Sequence, residues 1–361
     1  MAVPIPSSQL QSAGSGHAEH PRTWQQKAAQ FRSSSVGLGV VQMATTLIPL
    51  AALFALMYWS LSYSYWLTLA IAPIAAGFQI RTFIIMHDCA HGSFLPSKRA
   101  NEIIGFLTGL LTMFPFAQWR RDHALHHASS GDLDRRGHGD IHTLTVEEYE
   151  RLSWWGRFKY RIYRNPVSLF GIGPIWLFVL NRWHTVGSGA KTAHIVGVHA
   201  TNFGIALLTL VLAKMVGLGP VLLVYVPVYM IAGAAGIWLF YVQHQFEGTY
   251  WESHAQWDYA TAALQGSSYY RLPKVLEWFT GRIGLHHVHH IDPKIPNYHL
   301  RRCHESTSEF KAVPELTLWG SFRAASLKLW DAEQGRLVKF SELRARRSAA
   351  RRAAKHSGAR S

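Results

Sequence analysis

The chain has 361 residues, of which 48% are hydrophobic and only 16% are charged, and its formal net charge is +15. Soluble domains carry about 25% charged residues, so this composition excludes an ordinary soluble domain and is typical of a polytopic membrane protein. Two cysteines, Cys89 and Cys303, argue against a disulfide framework.

In chain order, a polar N-terminal segment (1–35) comes first. Long apolar runs then predict four membrane-spanning helices, because about 20 apolar residues are needed to cross the hydrocarbon core. These spans are 36–59, 66–86, 194–213 and 221–242. Another apolar run, 103–117, is too short for a regular span and is predicted to be re-entrant, interfacial or buried. A basic tail (306–361) ends the chain.

Three histidine motifs, here called boxes 1, 2 and 3, lie beside the apolar runs. Box 1 is H-D-C-A-H, box 2 is H-A-L-H-H and box 3 is H-H-V-H-H. A chain with 21 histidines is expected to show only about 0.07 H-x-x-H-H matches by chance, whereas this one has two. The spacings i, i+3 and i+4 place side chains on one face of a helix. Each box is therefore predicted to direct its imidazoles at one point. The histidines concerned are His87 and His91, then His123, His126 and His127, and finally His286, His289 and His290.

The boxes predict a metal centre, since imidazole is a common ligand of iron, copper, nickel and zinc. Eight converging imidazoles are too many for a single tetrahedral ion. Two metal ions side by side accommodate them, and this arrangement points to oxidative chemistry at a membrane.

The distribution of charge predicts the orientation. If 103–117 does not span, all three boxes lie on one side of the membrane. The two short turns between spans contain one basic residue, Lys214, while nearly all other basic residues lie on the side of the boxes. By the positive-inside rule, 87–193, 243–305 and both termini are cytosolic. The basic tail either binds anionic lipid head groups or only increases solubility. The predicted fold is an all-α integral membrane protein with four transmembrane helices and a cytosolic helical cap that carries the boxes.

The motifs and their order resemble the membrane fatty acid desaturases, with 36–305 as the desaturase domain. The segments that carry the resemblance are HDCAHGSF (87–94), HALHHASSGDLDRRGHGD (123–140), YVQHQFEGTYWE (241–252) and GLHHVHHIDPKIPNYHL (284–300). They are most similar to the acyl-lipid omega-6 (delta-12-type) desaturases. One difference is Ala90, where box 1 of the family often has glycine.

The resemblance implies a non-haem centre of two iron ions that uses O2 as co-substrate. It implies the eight box histidines as ligands and adds His244, which follows the last span, as a ninth. His287 occupies a variable position of box 3 and is left out. The implied activity is desaturation of a long acyl chain of a membrane lipid, adding a second cis double bond. The electrons come from a separate donor, expected to be ferredoxin, and the expected location is a bacterial inner membrane.

Two alternatives remain open at this point. A di-iron acyl or alkane hydroxylase, or a carotenoid ketolase, uses the same kind of scaffold, and product analysis distinguishes these enzymes from a desaturase. A histidine-rich metal transporter belongs to another class of protein. Transporters usually place their ionisable residues near the bilayer midplane, whereas the boxes here follow the spans.

No nucleotide-binding fingerprint is present in the sequence, and the basic net charge is explained by the membrane orientation without nucleic acid.

Overall fold

A computed structural model describes residues 21–137, 141–180 and 192–358. It is 69% helical, which confirms the all-α class. In chain order, the helices of the described residues are α1 Pro21–Ala29, α2 Val36–Ser60, α3 Tyr65–His91, α4 Lys98–Thr112, α5 Phe116–Ser129, α6 Val146–Arg151, α7 Trp154–Tyr163, α8 Val167–Leu180, α9 Thr192–Val216, α10 Leu218–His244, α11 Tyr259–Gln265, α12 Lys274–Phe279, α13 His286–Ile291, α14 Leu300–Ser306, α15 Leu318–Ser321 and α16 Phe340–Gly358.

Four helices are long and apolar enough to cross a membrane, and they are the four that the sequence predicts. They are α2, α3, α10 and the part of α9 from His194 to Val216. Helices α2 and α3 begin at serine N-caps, Ser35 and Ser64, whose side chains accept from backbone N–H groups of the first turn. Helix α3 packs against α2, α4 and α10, and so occupies the centre of the membrane part.

The short apolar run 103–117 falls on α4 and the start of α5, which meet at a bend of 98°. Met113 ends α4 in the left-handed conformation (φ 61°), and the Phe114 N–H donates to the Gly109 carbonyl at 2.9 Å. This hydrogen bond closes the helix end, as in a Schellman motif. The apolar run is therefore not one straight helix, and the chain turns sharply before box 2.

A cap, here defined as the described residues 116–137, 141–163 and 246–358, lies at the carboxyl ends of α3 and α10. Two small sheets join distant parts of it. Strand β1 (Tyr269–Arg271) pairs in parallel with β2 (Glu315–Thr317), and β3 (Leu329–Asp331) pairs antiparallel with β4 (Arg336–Val338). The Trp330 N–H also donates to the Leu144 carbonyl at 3.0 Å. Residues beyond 305 thus pack on the earlier part of the cap.

The division of the chain at residues 35 and 305 stays a prediction. The polar residues 1–20 of its N-terminal segment lie outside the described residues, as does the end of the tail, 359–361.

Candidate metal centre

Four helices deliver the nine predicted site histidines to one place. The last two turns of α3 carry His87 and His91, and His244 is the last residue of α10. Helix α5 supplies the three histidines of box 2, and the short helix α13 supplies those of box 3. Seven of the nine are buried, and His91 and His123 are half-buried. The helical spacing predicted from the sequence is therefore realised in all three boxes.

Eight of the nine form two groups of four, within each of which the candidate ligand nitrogens lie within 4.8 Å of one another. Group A contains His87, His91, His123 and His289, and group B contains His126, His244, His286 and His290. In group A, the Nε2 atoms of His87 and His123 are 3.1 Å apart.

In group B, His244 Nε2 lies 2.9 Å from His286 Nε2 and 3.2 Å from His126 Nε2. The Nε2 atoms of His286 and His290 are 3.1 Å apart. Each group takes histidines from more than one box, so neither could form from one helix alone.

The ninth histidine, His127, lies between the two groups. Its Nε2 is 3.1 Å from His123 Nε2 of group A. Its ring stacks on His290 of group B, with centroids 4.2 Å apart and planes inclined by 24°. Because it touches both groups, His127 is placed where it can contribute to either site.

The geometry fits two metal ions. For a metal–nitrogen bond of about 2.1 Å, two ligand nitrogens at right angles lie about 3.0 Å apart. The Nε2 distances of 2.9 to 3.2 Å match this separation. In addition, the Nε2 atoms of His91 and His289 are buried without any hydrogen-bond partner. An orphaned buried nitrogen is costly unless something binds it, and a metal ion would satisfy both of these.

Hydrogen bonds to Nδ1 leave Nε2 free to act as the ligand atom. His87 Nδ1 lies 2.9 Å from Asp88 Oδ1, and Asp88 Oδ2 accepts from Asn297 N at 2.6 Å and Asn297 Nδ2 at 2.8 Å. His244 Nδ1 contacts the Gly266 carbonyl at 3.2 Å. Such partners fix the tautomer and ring orientation of metal-binding histidines.

The box 3 imidazoles are neutral in this environment. Burial lowers the pKa of His286, His289 and His290 well below the usual value, and neighbouring histidines lower each pKa further by repelling a second positive charge. Metal binding requires the neutral form of histidine. The site therefore holds these three side chains in the protonation state that a ligand needs.

Other candidate residues lie apart from the groups. His287, which the sequence analysis leaves out, directs its Nε2 to His304 Nδ1 at 3.1 Å. Asp132 is fully buried and contacts His254 Nδ1 at 2.8 Å instead of a box histidine. Sequence reasoning did not identify Asn297 or Gly266, because no motif signals a partner that tertiary packing brings to Nδ1.

Comparison with known proteins shows which sequences this chain is similar to. The model of the fatty acid desaturase family matches residues 64–319. A fatty acid desaturase of Bacillus subtilis (strain 168) is 46% identical over 315 residues, which cover 87% of this chain and 89% of the relative. An sn-1 oleoyl-lipid 12-desaturase of Anabaena variabilis is 27% identical over 268 residues, or 70% of this chain and 72% of the relative. An sn-1 acyl-lipid omega-3 desaturase (ferredoxin) of Synechocystis sp. is 27% identical over 258 residues, or 66% and 68%.

Proposed function

The chain belongs to the fatty acid desaturase family, and from that premise we propose that it adds a second cis double bond to a monounsaturated acyl chain of a membrane lipid. The observation that carries this proposal is the pair of histidine groups at the carboxyl ends of two membrane helices. The position of the new double bond rests on the resemblance to omega-6 desaturases and on the name of the Anabaena relative, an oleoyl-lipid 12-desaturase.

We assign two iron ions to groups A and B, with the nine histidines as ligands. When bound, iron supplies the O2-dependent oxidation of an unactivated methylene pair, which no side chain can perform alone. The overall reaction consumes one O2, two electrons and two protons, takes two hydrogens from the acyl chain and forms two waters. Copper, nickel and zinc also bind imidazole, so elemental analysis has to establish the metal.

The protein's own residues prepare the site for this reaction. Desolvation keeps the box 3 imidazoles neutral, and Asp88 and Gly266 hold His87 and His244 in their orientations. The apolar helices that end at the site provide a medium in which an acyl chain dissolves and water does not. We therefore expect the acyl chain to reach the histidines from the membrane side.

We further propose that 36–305 is the desaturase domain and that the cap and both termini face the cytosol of a bacterial cell. The positive-inside rule supports this orientation, because the last turn of α9 and the connection to α10 hold one basic residue, Lys214, while the cap is rich in arginine. A separate donor must supply the electrons. The name of the Synechocystis relative supports ferredoxin in this role.

The decisive experiment is expression in a host that lacks polyunsaturated lipids, followed by fatty-acid analysis with location of the double bonds. We expect dienes from the wild-type chain and none from His126→Ala. Lipids that gain hydroxylated chains but no dienes would instead assign the site to a hydroxylase, which family membership does not favour.

The purified active protein should contain about two irons per chain. Stoichiometric zinc without iron in an active sample would contradict the metal assignment.

A further inference from the structure

Arg164 is completely buried at the end of α7, close to the carboxyl end of α10. Its guanidinium donates to five acceptors, all of them neutral: the His142 carbonyl (3.2 Å), Thr143 Oγ1 (2.9 Å), the Tyr241 hydroxyl (3.2 Å), Gln245 Oε1 (2.9 Å) and the Leu327 carbonyl (3.0 Å). Among the described residues, no carboxylate lies within ion-pair distance of it. Burying a cation is costly, so the contribution of this side chain lies in the hydrogen bonds that it makes.

The acceptors show what that contribution is. Tyr241 lies in the last turn of α10, and Gln245 follows His244 as the C-cap residue of this helix. The other three acceptors belong to two distant segments of the cap. The last carbonyls of α10 accept from Ser268 and Thr249, so Arg164 acts on the end of this helix through side-chain oxygens. Arg164 thus joins the final turn of α10 to both cap segments.

The contacts of Arg164 with Tyr241, Gln245 and the two cap segments are here called the clamp, and a second set of contacts strengthens it. Gln245 Oε1 also accepts from Thr143 Oγ1 at 3.1 Å, and the Tyr241 hydroxyl donates to the Leu327 carbonyl at 2.8 Å. Lys328, a second buried cation, donates from Nζ to the Arg164 carbonyl at 2.5 Å. The final turn of α10 is therefore fixed on both sides of His244.

We propose that Arg164 is a positioning residue for group B, acting through Tyr241 and Gln245 on His244. This inference rests on the proposed function, since it concerns one of the two metal positions assigned there. His244 Nε2 lies 2.9 Å from His286 Nε2 and 3.2 Å from His126 Nε2, both in group B. Loss of the clamp should loosen the metal of group B and leave group A largely intact.

The test measures transition metal per chain in the purified, full-length protein after dialysis against a series of chelator concentrations. Removing such an outer partner typically weakens metal binding by 10–100-fold. We expect Arg164→Met to lose one of its two ions at a chelator concentration about 10–100-fold lower than the wild type requires. The second ion should leave at the wild-type concentration.

Arg136→Met is the matched control. Arg136 also reaches Thr143, donating to its carbonyl at 2.7 Å, but its other partners are the Leu133 carbonyl and the Glu148 carboxylate, and none belongs to α10. This variant should keep both ions as tightly as the wild type. Equal loss of both ions in Arg164→Met and Arg136→Met would indicate general loosening of the cap and would overturn the proposal.

Two further variants keep the test decisive if Arg164→Met does not fold. Gln245→Met removes an acceptor of the clamp and should release one ion early, whereas Gln245→Glu keeps an oxygen there and should retain both. Wild-type binding in Gln245→Met would overturn the inference while leaving the proposed function intact. A wild-type protein that holds no transition metal while active would instead refute the proposed function, and the inference with it.

Discussion

Asp88 links a proposed metal ligand to the cap. It is buried beside His87, and its second oxygen accepts both the backbone and the side-chain N–H groups of Asn297. A buried carboxylate that accepts three hydrogen bonds is firmly fixed, so it holds the imidazole ring in one orientation. Asp88 also follows its histidine directly in α3, which ties the end of that helix to the segment after box 3.

Asp88→Asn should therefore weaken the metal of group A. The amide keeps the size of the side chain but loses the charge that favours a bound cation, so we expect metal affinity to fall by about 10–100-fold. Asp134→Asn is a suitable control, because Asp134 is exposed and accepts from the His254 backbone N–H. Metal content after chelator dialysis measures the effect. Unchanged metal retention in Asp88→Asn would show that the carboxylate has no role in the site.

Within box 3, replacement of different histidines should have sharply different effects on desaturation. His289→Ala, like His126→Ala, should abolish desaturation while leaving membrane insertion intact, since each removes a member of a histidine group. His287→Ala should be milder, because His287 contacts His304 and lies outside both groups. Diene content of whole-cell lipids, normalised to protein in the membrane fraction, distinguishes these outcomes. A fully active His126→Ala enzyme would refute the ligand assignment.

For single residues, the sequence predicts the nine histidines that the structure brings together, but not the groups that contact their Nδ1 atoms. Spacing and resemblance identify the nine histidines, because helical geometry is local. Asp88 and Asp132 are both acidic residues close to the boxes in sequence, and nothing in the sequence separates Asp88 from Asp132, which contacts His254 instead. Arg164 carries no motif, since its five acceptors come from three separate parts of the chain.

Among the structural elements, the bend between α4 and α5 is what returns box 2 to the site. The Phe116 ring lies directly on Gly105, where an added Cβ would meet ring atoms at 2.3 Å. A glycine is therefore required for this close approach of the two helices. The contact holds α5 at the angle that places His123 beside His87.

Gly105→Ala should displace Phe116 and with it α5. Overpacking of this kind typically costs about 1–3 kcal/mol, so we expect a lower unfolding temperature and weaker metal retention. Gly236→Ala in α10 is the control, because an added Cβ there has no neighbour within 4 Å and alanine favours the helix. Thermal unfolding of both variants in the same detergent measures the difference. Equal stability of the two variants would show that the bend tolerates the extra methyl group.

The spans themselves were predictable because hydrophobicity over 20 residues is a strong signal. The first was expected at 36–59 and is Val36–Ser60. The fourth was expected at 221–242 but begins at Leu218 and continues to His244, since helical hydrogen bonding does not stop where the apolar run does. The three-residue strands of the cap were not predicted, because pairings so short depend on tertiary contacts.

For the whole molecule, the position of the histidines constrains the topology. His87 near the end of α3 and His244 at the end of α10 belong to groups that His127 connects, so both helices must end on the same side of the membrane. We expect reporters fused at either terminus to read as cytosolic in bacterial cells. A reporter after Ser361 that reads as external would overturn the proposed orientation.

The charge of the whole molecule leads to a prediction about its electron donor. The net charge is +15, and in the proposed orientation nearly all the basic residues lie on the same side of the membrane as the histidine groups. Small electron carriers are usually acidic, and opposite charges can raise association rates by about 10- to 1,000-fold at low ionic strength. Raising the salt concentration from 0.1 M to 1 M shortens the screening length from about 10 Å to about 3 Å. Desaturation limited by reduced ferredoxin should therefore slow by at least about tenfold over this range.

The control for this measurement is the same reaction at a saturating concentration of the carrier, where encounter no longer limits the rate and salt should have little effect.

The basic helix α16 offers a local test of the same electrostatic attraction. Arg344 and Arg352 are exposed on it, and replacing both with glutamine should lower the carrier-limited rate without changing the saturated rate. Both residues are far in sequence from the boxes, so the metal content should stay at the wild-type value. A carrier-limited rate that does not respond to ionic strength would exclude electrostatic steering of the donor, while the assignment of the histidines and of the reaction would stand.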